Sequence, residues 1–115
     1  MSDRPDTLYL RDILDSITAS EDFIRGVDFD SFVKDRKTRS ATIRELEVIG
    51  EAAGKISEEV KSRTPEVDWR TIKDFRNVLS HEYFGIDDSI VWQIITEKLS
   101  PLKNQIGLIL SSLGG

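Results

Sequence analysis

Apolar residues return every three or four positions along almost the whole chain, and no stretch alternates with period two for long enough to make a strand. That spacing is the signature of amphipathic helices, so the chain is confined to an all-α architecture. Its 115 residues suit one domain, residues 1–115, with no room for two. A chain of this length buries roughly two-thirds of its unfolded surface and needs no staples. It has no cysteine, which excludes disulfide scaffolds, thiolate metal sites and cysteine nucleophiles. Its one histidine, His81, excludes a multi-histidine zinc site within one chain. No metal and no cofactor is expected. No apolar run approaches the roughly 18 residues of a membrane span. The opening MSDRPDTLYL lacks an apolar signal core, so a soluble, cytoplasmic protein is expected.

The spacing predicts a first helix from Asp6, as N-cap, to Arg25, with Leu10, Ile13, Leu14, Ile17 and Ile24 as its stripe and Gly26 as its stop. One or two turns around Phe29, Phe32 and Val33 follow, capped by Asp28 or Asp30. A long helix is predicted over 38–63, with Ile43, Leu46, Ile49, Ala53, Ile56 and Val60 inward. Gly50 and Gly54 fall inside it, and each glycine costs a helix about 1 kcal/mol. Close approach of another helix backbone would offset that cost. Asp68 caps a helix over 69–83, and Asp87 or Asp88 caps the last, which runs through Leu110 with a kink at Pro101. The sum is an up-and-down bundle of four long helices plus one short helix.

Charge is unevenly spread. The net of −5 hides a stretch, residues 34–44, that carries a net +4 from Lys34, Arg36, Lys37, Arg39 and Arg44 against Asp35. A local basic stretch in an acidic chain leaves nucleic acid open as a partner. Plain solvation of a helix start accounts for the same charges.

The segment DFRNVLSHEYFG, residues 74–85, carries the chemistry. On a helix with Arg76 at zero, Ile72, Phe75, Val78 and Leu79 fall on an arc from roughly 200° to 320°, while Lys73, Arg76, Asn77, Ser80 and His81 fall between roughly 0° and 140°. A permanently charged guanidinium, an amide and an imidazole therefore share the polar face. Cleavage of RNA by its own 2′-OH suits such a set. Histidine serves the proton steps near neutral pH, and arginine clamps the phosphate oxygens. One histidine cannot conveniently act as base and acid at once. A C2 dimer would bring two copies of Arg76 and His81 to one groove, and the small residues from Gly50 to Gly54 favour such a dimer. From spacing alone, a surface histidine with an arginine nearby remains an equal account.

RNVLSHEY resembles the signature of the HepT-like branch of the HEPN superfamily, with Arg76, Asn77, His81 and Tyr83 at the motif positions. The flanks LYLRDIL, DRKT, IRELEVIGEAAGKIS, the Pro-Glu-x-x-Trp entry and YFGID…IVW stand in the same order, so the resemblance runs from about Leu8 to Leu108. It implies an all-α, HEPN-like homodimer. It also implies a metal-independent endoribonuclease toxin of a type VII-like toxin–antitoxin module. The partner would be a minimal nucleotidyltransferase antitoxin (MntA-like) that transfers AMP to the motif tyrosine. Carried over, Arg76 and His81 are catalytic, Asn77 is supporting and Tyr83 is AMPylated. Arg36, Lys37, Arg39 and Arg44 are candidates to guide the RNA strand. The alternative class is a non-catalytic helical adaptor that binds the nucleotidyltransferase and nucleotides.

Overall fold

The computed structural model describes residues 4–114 apart from 81–86, and for residues 76–80 it describes the backbone alone. Every regular element among the described residues is helical. In chain order they are α1 (Asp6–Phe23), α2 (Phe29–Lys34), α3 (Arg36–Lys55), α4 (Glu58–Arg63), α5 (Trp69–Ser80), α6 (Asp88–Gln93) and α7 (Leu99–Ser112), with one π-helical turn, Ile94–Lys98, joining the last two. The all-α expectation holds. The four long helices are α1, α3, α5 and the rod formed by α6 and α7, and the short ones are α2 and α4.

Helix α3 is the spine. It packs most extensively on α1, next on α5, and it also touches α2, while α7 closes over α1. The core at these contacts is dense. Leu10, Ile13 and Ile17 of α1, Leu46 and Ile49 of α3, and Leu99 and Ile106 of α7 expose no more than a trace of surface. Every inward position expected of the long helix, from Ile43 to Val60, is buried.

Local chemistry explains where the boundaries depart from the sequence expectation. The long helix predicted to reach residue 63 stops at Lys55, because Ile56 and Ser57 are extended, with ψ of 139° and 152°. Ser57 begins a new helix: its hydroxyl oxygen accepts the Val60 N–H at 3.2 Å, and Glu58 and Glu59 stand in the first turn, where the helix dipole favours acids. Asp6 is the first residue of α1 and not its cap; Pro5 holds that position without a side-chain bond. The Asp6 carboxylate instead accepts the Ser57 N–H at 2.9 Å and the Ser57 hydroxyl at 2.6 Å. Asp28 caps α2 through the Ser31 N–H at 2.8 Å, and Gly26 takes φ of +75°, the left-handed conformation that suits its place after α1.

Pro101 lies in the first turn of α7, just beyond the π-helical turn. A proline ring in a helix clashes with the carbonyl four residues back, here that of Glu97. Glu97 belongs to the widened turn, so the rod keeps its course past the proline by changing its hydrogen-bond spacing.

The close approach demanded by the helical glycines is found inside the chain. Gly50 is buried, and a Cβ on Gly54 would lie 3.8–3.9 Å from the aliphatic carbons of Lys73 on α5. These small residues are thus used against α5 and need no second chain to account for them.

Candidate active site

Helix α5 carries the motif, and its N-terminal end is tied down by three polar contacts. Asp68 accepts the Thr71 N–H at 3.1 Å and the Thr71 hydroxyl at 2.7 Å. These bonds, the hydroxyl first and the backbone N–H second, hold the Asp68 carboxyl below the usual carboxylate range. The Trp69 indole N–H donates to the buried Thr64 hydroxyl at 2.9 Å, which itself donates to the Val60 carbonyl at 2.8 Å. Gln105 of α7 donates to the Glu66 carbonyl at 3.0 Å.

The rotation of α5 is as the sequence predicts. Trp69, Ile72 and Phe75 are buried, and Arg70, Thr71, Lys73 and Asp74 are exposed. Lys73, in the second turn of α5, lies over Gly54, in the last turn of α3. Because α5 packs along α3, it must run antiparallel to it and carry its C-terminal end toward the start of α3. Arg76 and Asn77 occupy the last two turns of this helix, one turn beyond Lys73. His81 and Tyr83 lie outside the described residues, as do the side chains of Arg76 and Asn77.

The described chain resumes at Asp87, which caps α6 by accepting the Ser89 hydroxyl at 2.6 Å and the Ser89 N–H at 2.9 Å. The next residue, Asp88, accepts a hydrogen bond from the Arg39 guanidinium Nε at 2.5 Å, joining the first turn of α6 to the first turns of α3. Of the four cations expected to guide RNA, Arg36, Lys37 and Arg44 are exposed. Arg39 is committed to Asp88, with 27 % of its side chain accessible. A cleft of about 340 Å³ separates α5 from the α7 rod, lined by Asp68, Thr71, Phe75, Lys98, Pro101 and Gln105 among others. Among the described residues, no three His, Cys, Asp or Glu side chains converge as a metal site. No helix among them is long and apolar enough to cross a membrane.

Sequence reasoning missed Asp88, since nothing in a sequence marks a carboxylate as the partner of an arginine 49 positions earlier. It missed the cap at Ser57 although the signal, serine followed by two glutamates, was present.

Fold and motif helix together define the class: an all-α, HEPN-like bundle with an arginine-bearing helix laid antiparallel on its spine. The ribonuclease HepT-like family model matches residues 13–109. "Probable ribonuclease HepT" of Thermococcus cleftensis is 40% identical over 97 residues, covering 84% of this chain and 88% of that protein. "Putative RNase MJ1380" of Methanocaldococcus jannaschii is 35% identical over 109 residues, covering 95% of this chain and 100% of that protein. No solved structure matches at a comparable level. The chain belongs to the HepT-like ribonuclease family, and its class is that of an RNA-cleaving enzyme.

Proposed function

We propose that this chain is a metal-independent endoribonuclease toxin, cleaving RNA by attack of the substrate's own 2′-OH. Arg76 stabilises the charge on the phosphorane, His81 moves the protons, and Asn77 supports them. The observation that carries this reading is the family match over residues 13–109, which contains all four motif positions on and just after α5. Exposed Arg36, Lys37 and Arg44 supply positive charge for the strand. Two chains share one groove, which provides a second His81 to act as acid while the first acts as base.

The test is cleavage of RNA in EDTA by purified protein. Wild type should leave 2′,3′-cyclic or 3′-phosphate ends. Arg76→Ala and His81→Ala should each lose roughly 100-fold or more of the rate while keeping the helical circular-dichroism spectrum. Strict dependence on added magnesium, or full activity in either variant, overturns the assignment and favours a non-catalytic adaptor.

Neutralisation follows from Tyr83. A minimal nucleotidyltransferase antitoxin (MntA-like) transfers AMP from ATP to the Tyr83 phenol, releasing pyrophosphate. The added phosphodiester pairs with Arg76 and the nucleoside occupies the path of RNA. Co-expression with the nucleotidyltransferase should add AMP to the Tyr83 peptide in mass spectrometry and silence the enzyme. Tyr83→Phe should stay toxic and unmodified. Undiminished inhibition of Tyr83→Phe, with no adduct on the wild type, would mean neutralisation by occlusion.

A further inference from the structure

Helix α3 serves as a ruler for the motif. At its C-terminal end, Lys73 over Gly54 sets how far along α3 the helix α5 lies. Near its N-terminal end, Arg39 holds Asp88 and so sets where α6 begins. Between the end of α5 at Ser80 and Asp88 stand seven residues, and His81 and Tyr83 are among them. The two ends of that span are thus registered against the same helix by two separate contacts.

The Arg39–Asp88 pair differs from the other ion pairs among the described residues. Its side chains are 27 % and 22 % accessible, less than those of any of the other four pairs. A pair so covered is poorly screened, and losing one partner leaves the other charge without compensation. Its surroundings are also fixed. Asp35 caps α3 by accepting the Thr38 hydroxyl at 2.7 Å and the Thr38 N–H at 3.2 Å. Trp92 of α6 packs on Phe32 and Phe29 of α2, with ring centroids 5.1 and 6.0 Å apart. The guanidinium therefore joins two capped helix starts at an aromatic corner. Exposed Arg36 and Lys37, a turn or less away in sequence, have no such setting.

We infer that Arg39 and Asp88 are positioning residues for the ribonuclease reaction: their ion pair fixes the point at which the segment bearing His81 and Tyr83 rejoins the bundle, and thereby the register of His81 against Arg76. This rests on the proposed ribonuclease function. Chemistry that divides its work between a guanidinium and an imidazole depends on their separation, and a displacement of about 1 Å can cost roughly 100-fold in rate. Arg39 acts through Asp88 and the backbone and does not touch the substrate.

The experiment uses the full chain and four variants: Arg39→Ala, Asp88→Asn, Arg39→Lys and the exchanged double variant Arg39→Asp/Asp88→Arg. Two readouts are taken for each, kcat and KM for RNA cleavage and the imidazole NMR titration of His81. The chain has a single histidine, so that signal needs no assignment. Arg39→Ala and Asp88→Asn should lower kcat about 10- to 100-fold with KM nearly unchanged. Both should also move the His81 titration midpoint in protein that is still folded. Arg39→Lys, or the exchanged pair, should recover most of both. A rise in KM with kcat intact would make Arg39 an RNA contact and overturn the proposal. A lower melting temperature with kcat and the His81 titration unchanged would make the pair merely structural, and also overturns it. The His81 signal is read without RNA. An inactive wild type therefore counts against the ribonuclease reading alone, and an unmoved His81 against the ion pair alone.

Discussion

Helices α1 and α5 both lie against α3, yet they are held there by different means. Along 18 residues α1 seals Leu10, Ile13 and Ile17 completely and buries even Ser20, whose hydroxyl donates back to the Ser16 carbonyl at 2.9 Å. It starts without a side-chain cap. Helix α5 has 12 residues, and its described core positions, Trp69, Ile72 and Phe75, keep a little exposure. It is fixed instead at its N-terminal end by the Asp68 cap, the Trp69–Thr64 bond and the Gly54–Lys73 approach. A helix held by burial can give its whole length to the core. A helix held by directional bonds at one end can leave the other end polar, and that is the end on which Arg76 and Asn77 stand.

The comparison can be broken by substitutions of graded effect. Leu46→Ala, in the shared α1–α3 core, should cost about 3 kcal/mol in urea unfolding. Asp68→Ala removes a cap and should cost about 1 kcal/mol. Equal costs for the two would mean that α5 is as deeply integrated as α1, and that burial and end-on bonding do not divide the two helices. Smallest is the effect of pH. The carboxyls of Asp28, Asp35, Asp68 and Asp87 all sit below their ordinary value because capped N–H and hydroxyl groups donate to them. A carboxyl lowered in the folded state binds fewer protons there than in the unfolded chain. Its stabilisation is therefore complete above the ordinary value near 4 and is lost as pH falls through the lowered one. The melting temperature should be flat from pH 7 to about 5 and then fall, and Asp68→Asn should make the fall shallower.

The helical class was legible because the 3.6-residue period survives in nearly every segment, and the caps at Asp28, Asp68 and Asp87 were legible because each precedes an apolar-periodic run. The division between α3 and α4 was hidden by that same period. Ile56 and Val60 keep helical spacing across a break made by two extended residues, and both are buried. The basic stretch shows a subtler limit. Arg36, Lys37, Arg39 and Arg44 look alike as charges, and only the fold separates the half-buried Arg39 from the rest. The motif residues were recognised from their order and flanks, a pattern that carries chemistry without specifying distances.

The bond between Asp6 and Ser57 bears on the order in which the molecule is made. It staples the start of α1 to the residue that ends the α3 segment, across 51 positions, and encloses the most extensive helix contact in the fold. Domains form as units while a chain emerges from its amino end. By the time Ser57 has emerged, α1, α2 and α3 possess both their largest contact and the tie that closes it, before Trp69 has been added. The helix that bears Arg76 is then laid onto a surface already complete, so the part of the enzyme that cuts RNA is the part assembled late.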